Sequence, residues 1–193
     1  MDDVVRFLIV DDDRSFASLF EKLIVGDGRL LYLGNATDRL SGIEMSRRLS
    51  PQVVVMDLNL SGDALDGIEA AKEIRVQTGA KVLLLTAYEE QETIINASKK
   101  AFASGYIFKS QFHSIADTIY ETATSNTPQK ELIRELAISE LSSAEKAVLK
   151  DLVLGNSSLP YSSPSTLANQ KTSIFRKLGL KNTKELLNVF QHW

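Results

Sequence analysis

Residues 53–57 have the sequence Val-Val-Val-Met-Asp, an apolar run that ends in an acid. Such a run is typical of a buried β-strand that carries a carboxylate at its C-terminal end. Three more apolar runs end in polar side chains: 7–10 leads into Asp11, 82–85 into Thr86, and 106–108 into Lys109. Open α/β sheets hold their ligands at the carboxyl ends of the strands. The sequence therefore predicts one site at the edge of a parallel sheet.

Strand-like runs alternate with helix-like segments through residue 125. We predict strands at 5–10, 30–35, 52–57, 81–86 and 105–108, and helices at 14–25, 38–49, 66–77, 91–103 and 111–125. Five such alternations are typical of a parallel sheet with helices on both faces. The following polar stretch predicts a linker.

Composition and charge limit the classes of site and partner. The chain has 193 residues, no cysteine and two histidines, which excludes disulfides and thiolate metal sites and disfavours a histidine site. Residues 1–125 are acidic, with 13 basic and 19 acidic side chains, whereas 140–193 carry 7 basic and 4 acidic ones. This asymmetry predicts two parts with different partners. No apolar stretch approaches the roughly 20 residues that span a bilayer, so we expect a cytoplasmic protein without a membrane partner.

The acids at the predicted edge need a counter-charge. Asp11, Asp12 and Asp57 would repel one another, and a Mg²⁺ ion, which prefers carboxylates and waters, would relieve that repulsion. Asp57 is then a candidate phosphoryl acceptor. Lys109 would add a cationic contact, and the Thr86 hydroxyl would donate a hydrogen bond to a phosphoryl oxygen. Each residue alone also fits a plainer role, since acids after strands often cap the next helix.

The ordered set of motifs resembles the receiver domain of two-component response regulators. The matching residues are 7–12, Asp57 with Asn59, Thr86-Ala87 and 105–109. The resemblance implies a flavodoxin-like (βα)5 doubly wound parallel sheet over residues 1–125. It also implies that Asp57 accepts phosphate from a sensor histidine kinase or a small phosphodonor. Asp12, Asp57 and the Asn59 carbonyl would bind Mg²⁺ with help from Asp11, and Thr86 and Tyr106 would form the switch.

Three departures from the receiver pattern are visible. Leu60-Ser61 stands where receivers usually have Met-Pro, and the loop at 61–67 is about two residues longer than usual. Ser110 replaces the proline that usually follows the lysine. These changes concern loop geometry and the rate of dephosphorylation.

Beyond a linker at 126–139 with room for some helix, residues 140–193 resemble a LuxR/NarL-type helix-turn-helix domain, a small all-α unit. The matching segments are 141–149, with a capping box of Ser142 and Glu145, and 166–179, the recognition helix, which Gly179 would end. The outward candidates for bases are Ala168, Asn169 and Thr172; Asn169 or Gln170 could pair with adenine, and Arg176, Lys177 and Lys181 suit phosphates.

The middle of this region departs from the family. Residues 156–162 are roughly five too few for the scaffold helix of the motif, and Pro160 and Pro164 disfavour a helix there. Lys171 interrupts the stripe of Leu167, Ile174 and Leu178 that should be buried. We predict that the scaffold helix is lost or reduced to a turn.

Three hypotheses follow for function. The first is a phosphorylation-controlled, dimerising transcription regulator that binds DNA. The second keeps the switch but replaces DNA with a protein partner or dimerisation. The third, a phosphohydrolase of related fold, lacks a second catalytic acid near Asp57, so we expect no enzyme.

Overall fold

The apolar runs form a five-stranded parallel sheet. In the computed structural model, which describes residues 4–24, 26–60, 64–87, 90–155 and 163–191, the strand order is β2-β1-β3-β4-β5. The strands are β1 (Val5–Val10), β2 (Leu30–Ala36), β3 (Val53–Asp57), β4 (Lys81–Thr86) and β5 (Gly105–Phe108). The predicted doubly wound, flavodoxin-like fold class is confirmed.

Nine helices lie in the described residues. They are α1 (Arg14–Ile24), α2 (Arg39–Leu49), α3 (Ala64–Thr78), α4 (Gln91–Ala101), α5 (Ile115–Thr124), α6 (Pro128–Ala137), α7 (Ser143–Leu154), α8 (Pro164–Leu178) and α9 (Thr183–Phe190). The α5 helix begins four residues later than predicted because a 3₁₀ segment, Lys109–Ser114, precedes it. Gln111 in that segment has a non-helical backbone, and its Oε1 accepts a hydrogen bond from Phe108 N at 3.3 Å.

Each face of the sheet has its own apolar core. One face packs Leu8, Val54 and Leu84 against α2, α3 and α4, and the other packs Phe7, Val55 and Leu85 against α1 and α5. Gly67 allows α3 to reach the end of β3, since a Cβ there would lie 2.4 Å from the Asp57 carbonyl oxygen. Packing on both faces explains why the central strands are continuously apolar.

The C-terminal helices share a third core with the N-terminal part. Phe102, which follows α4, is 3% exposed and lies edge-on to Phe190 of α9, with the ring centroids 6.0 Å apart. Arg75 of α3 is fully buried, and its guanidinium donates to the carbonyl oxygens of Gly79, Ala80 and Val189. Residues of α3, α4 and α9 therefore form one packed interface.

The predicted helix signals in the C-terminal region have mixed outcomes. The capping box is confirmed, since Glu145 N donates to Ser142 Oγ and Ser142 N donates to Glu145 Oε2. Gly179 ends α8 with a φ of 64°, also as predicted. The predicted loss of the scaffold helix concerns 156–162, which lie outside the described residues. On α8, Ile174 is buried and Lys171 is half-buried. No helix in the described ranges is long and apolar enough to cross a membrane.

Candidate functional site

The strand ends converge as the sequence predicted. Neighbouring strands pair Val10 with Met56, Asp57 with Leu85, and Thr86 with Phe108. The polar residue at or just after each strand end therefore lies on one edge of the sheet. These residues are Asp11 after β1, Asp57 in β3, Thr86 in β4 and Lys109 after β5.

Lys109 joins the two buried acids. Its Nζ lies 2.9 Å from Asp11 Oδ2 and 2.9 Å from Asp57 Oδ2. Asp11 is 0% exposed and Asp57 is 4% exposed, so both carboxylates are largely removed from water. Buried charges need a partner, and one ammonium here serves two carboxylates. The Lys109 ammonium also lies over the ring of Phe16, 4.9 Å from its centre, in a cation–π contact.

The site holds two carboxylates and one ammonium, and their environment shifts the pKa of Asp11 and of Lys109. Burial raises the pKa of Asp11, and the nearby charge of Asp57 adds to this, although the hydrogen bond from Lys109 opposes both effects. Burial alone would lower the pKa of Lys109, but its hydrogen bonds to Asp11 and Asp57 outweigh burial and raise it. The three side chains therefore carry an excess of negative charge that favours a further cation.

Backbone N–H groups fix the direction of both carboxylates. Asp13 N donates to Asp11 Oδ1 at 2.8 Å, and Asn59 N donates to Asp57 Oδ1 at 3.2 Å. Asn35, which the sequence interpretation missed, donates from Nδ2 to the Asp11 carbonyl oxygen at 3.1 Å. Its only sequence signal is a polar residue near the end of β2.

The donor set suits a hard divalent cation. One carboxylate oxygen from each of Asp11, Asp12 and Asp57 lies within 4.8 Å of the others, and Asp12 is exposed to solvent. Three carboxylates offer only oxygen ligands, the type that Mg²⁺ prefers. The residues present therefore fit this ion.

The two predicted switch residues differ in environment. Thr86 is fully buried, whereas Tyr106 is half-buried and lies edge-on to Phe108, with ring centroids 5.9 Å apart. The Tyr106 backbone N–H donates to Gln129 Oε1 of α6 at 2.9 Å. Tyr106 thus contacts the helix within the predicted linker, a contact that the sequence interpretation missed.

The candidate DNA-contacting residues on α8 also differ in their exposure and in their contacts. Asn169, Thr172 and Arg176 are exposed, whereas Gln170 is half-buried. Lys177 Nζ pairs with Glu145 Oε2 at 2.7 Å, which commits this predicted phosphate contact to an interaction within the chain.

Arg176 and Lys177 line a cavity of about 430 Å³ together with residues of α3 and α4. Helix α8 therefore presents its last turn toward the N-terminal part of the chain. Its exposed candidates Asn169 and Thr172 lie nearer its start.

Comparison with known proteins gives matches along the whole chain. Residues 7–119 match the family model described as the response regulator receiver domain. The transcriptional regulatory protein YdfI of Bacillus subtilis is 24% identical over 203 residues, covering 95% of this chain and 94% of that protein. A protein-glutamate methylesterase/protein-glutamine glutaminase of Myxococcus xanthus is 34% identical over 90 residues, but the match spans only 47% of this chain and 25% of that enzyme.

A solved structure shares the fold over the full length. The RcsB response regulator of Salmonella typhimurium has a TM-score of 0.57 and 22% identity, with 100% of both chains covered. This likeness extends the shared fold beyond the matched family model, into the C-terminal helices.

Proposed function

This chain belongs to the response regulator receiver domain family, and on that premise we propose that Asp57 accepts a phosphoryl group. The donor is a sensor histidine kinase or a small phosphodonor such as acetyl phosphate. The observation that carries the proposal is the contact of Lys109 Nζ with both Asp57 and Asp11. It puts a nucleophilic carboxylate beside a cation at the open edge of a parallel sheet.

Each residue has a role in the transfer. An Asp57 carboxylate oxygen forms the new bond to phosphorus, and the bond from phosphorus to the donor atom breaks. Lys109 stabilises negative charge on the transferring group. Mg²⁺, when held by Asp11, Asp12, Asp57 and the Asn59 carbonyl, supplies further charge neutralisation. Asp13 N and Asn59 N keep the two buried carboxylates oriented.

Phosphorylation then shifts the equilibrium between two conformations of the α4–β5–α5 face. The Thr86 hydroxyl donates to a phosphoryl oxygen, and Tyr106 moves inward with it. The new contacts exist in only one state, so they shift the equilibrium toward that state. The favoured state is a homodimer.

Labelling with acetyl phosphate tests the phosphoacceptor. We expect intact-mass spectrometry to show one phosphoryl group on the wild-type chain when Mg²⁺ is present. We expect Asp57→Asn to remove the label, whereas Asp117→Asn, at an exposed acid paired with Arg29, should keep it. A phosphoryl group on the Asp57→Asn variant, or no phosphoryl group on the wild-type chain, would contradict the assignment of Asp57 as the phosphoacceptor.

For the output we propose control of transcription through DNA binding by the C-terminal helices. Support comes from YdfI, which is a transcriptional regulatory protein, and from RcsB, whose structures concern DNA interaction. The exposed side chains of Asn169, Thr172 and Arg176 on α8 supply the groups that would contact bases and phosphates.

A second output, binding of a protein partner, is favoured by one specific observation. Lys177 is paired with Glu145, and Arg176 lies beside it at a cavity that residues of α3 and α4 also line. If this arrangement persists after phosphorylation, α8 is poorly placed to enter a DNA groove.

Electrophoretic mobility of a promoter fragment separates the two outputs. DNA binding predicts a shift that acetyl phosphate strengthens and that added salt weakens steeply, because phosphate contacts release counterions. Absent or salt-insensitive binding would remove the DNA hypothesis. The Asp57→Asn variant supplies the control for phosphorylation.

A further inference from the structure

A second cavity lies at the amino-terminal ends of the strands, whereas the acidic site lies at their carboxyl ends. Its volume is about 590 Å³, and its walls come from the beginnings of strands: Arg6 in β1, Gln52 before β3 and Lys81 in β4. Asn188 of α9 and Gln191, which follows α9, also line it. We call this space the basal cavity. It joins the N-terminal part of the chain to the C-terminal helices.

The charged side chains that line the basal cavity are all cationic. They are Arg6, Arg47 and Lys81, and no carboxylate is among the lining residues that the structure describes. Arg6 is exposed and makes no ion pair with any described residue. The chain as a whole has a net charge of -3, whereas the lining of this cavity is positively charged.

The hydrogen-bond partners of the other two cations are neutral. Arg47 Nε donates to Gln77 Oε1 at 2.7 Å, and the nearest ion-pair contact, Glu73 Oε1, lies 3.9 Å from Nη2 and outside the cavity. Lys81 Nζ donates to the neutral carbonyl oxygen of Ala123 at 2.5 Å.

Two more cations lie behind this wall. Arg75 is fully buried and donates only to backbone carbonyl oxygens, and Lys130 is 6% exposed with no ion pair among the described residues. Burial, with the charges of Lys130 and Arg75, lowers the pKa of Lys81 to about 8. Buried charge without a counter-charge is costly, and a bound anion would relieve this cost.

Neutral polar groups complete the lining. Ser46 lines the basal cavity, is fully buried, and its Oγ has no hydrogen-bond partner among the described residues. Gln52 and Gln191 are exposed side-chain amides that can donate to an oxygen ligand. Arginine suits a phosphate group because its planar fork can donate two parallel hydrogen bonds to it.

We propose that the basal cavity binds a small phosphate-bearing anion, a phosphate ester or a pyrophosphate, through Arg6, Arg47 and Lys81. The volume lies within the range of about 300–1,000 Å³ found for small-molecule sites. Because residues of α9 line the cavity, the ligand contacts both parts of the chain and stabilises their association. This site is separate from Asp57 and does not depend on phosphoryl transfer.

Calorimetric titration of the full chain with pyrophosphate tests the site. The buffer contains EDTA and is held at constant ionic strength with NaCl, so that a metal bound at Asp57 cannot hold the probe. We expect one binding event for the wild type. Arg6→Gln should weaken it by about tenfold, the effect of losing one charge-assisted hydrogen bond. The double variant R6Q/R47Q should weaken it further.

A matched control removes the same charge elsewhere. Lys22→Gln with Lys100→Gln takes two cations from exposed positions on α1 and α4 that do not line the basal cavity, and it should leave pyrophosphate affinity unchanged. Equal losses in the two double variants, or no binding by the wild type, would overturn the proposal. If R6Q/R47Q has lost its circular-dichroism signal, Arg6→Gln carries the test, since the exposed Arg6 side chain makes no ion pair within the described part of the chain.

Further titrations distinguish the source of the phosphate. Binding of inorganic phosphate or ATP that is lost with R6Q/R47Q supports the site and ranks its ligands. Tighter binding of a short DNA duplex, lost in the same variant, would instead assign the surface to a nucleic acid and overturn the small-anion proposal.

Discussion

The backbone N–H of Tyr106 donates a hydrogen bond to Gln129 Oε1 over 2.9 Å. Strand β5 is the last strand of the sheet, so a side chain of α6 accepts from a backbone N–H that has no neighbouring strand to bond to within the described sheet. The contact is close, because a Cβ built on Gly105 would lie 2.7 Å from the same oxygen. Helix α6 also contributes Ala137 to the core shared with α7, α8 and α9. One helix therefore contacts both the proposed switch residue and the C-terminal region.

Removing this acceptor should loosen the edge of β5. We expect Gln129→Ala to reduce the free energy of unfolding by about 1–2 kcal/mol, because the Tyr106 N–H loses its partner. Amide hydrogen exchange of Tyr106 should become roughly tenfold faster. Gln111→Ala is the matched control, since Gln111 Oε1 accepts from Phe108 N on the same strand. Unchanged exchange at Tyr106 in Gln129→Ala would argue against the coupling.

The acidic edge could be predicted from the sequence, whereas the contacts of α6 and α9 could not. Strand ends such as Asp57 and Lys109 meet because parallel strands share one direction, and hydrophobic patterning reveals that direction. The contact of Gln129 with Tyr106 depends on where α6 docks, which periodicity does not encode. Arg75 likewise has an ordinary place in a helix sequence, and only tertiary packing removes it from water.

Arg75 should hold α9 against α3. We expect Arg75→Met to lower the free energy of unfolding by about 3 kcal/mol, because the carbonyl oxygens of Gly79, Ala80 and Val189 lose their donor. Amide exchange in α9 should rise more than exchange in β3. Arg48→Met, at an exposed arginine on α2, is the control and should change stability by less than about 0.5 kcal/mol. A uniform rise of exchange throughout the chain would show that Arg75 supports the whole fold rather than this interface.

Lys109 should compete with a cation for the acidic cluster. Replacing it by Gln removes the ammonium that lies 2.9 Å from both Asp11 and Asp57, so we expect Mg²⁺ to bind about tenfold more tightly. Labelling by acetyl phosphate should nevertheless slow, since the lysine also stabilises the transferring group.

Titration of Mg²⁺ by thermal shift measures the first effect, and the rate of mass increase measures the second. Lys100→Gln changes the same charge far from the cluster and should alter neither. Weaker Mg²⁺ binding by Lys109→Gln would mean that the lysine orders the carboxylates rather than competing with the ion.

The ion pair between Lys177 and Glu145 should make the stability of the C-terminal helices depend on pH. The hydrogen bonds from Lys177, Ser173 and Ser142 lower the pKa of Glu145 from its ordinary value of 4.5 to about 2. Because the pKa is lower in the folded state, the stabilisation is fully present above pH 4.5 and is lost as the pH falls toward 2. Glu145→Gln should therefore be less stable than the wild type at pH 7.

The difference in unfolding free energy between the wild type and Glu145→Gln should shrink as the pH falls. Urea unfolding at pH 7, 5, 4 and 3 measures it, with Glu135→Gln as a control at an exposed acid that lies 3.6 Å from Lys146. We expect the control to follow the wild type at every pH, because an exposed pair contributes little. A gap between Glu145→Gln and the wild type that stays constant down to pH 3 would mean that Glu145 acts through its shape and hydrogen bonds.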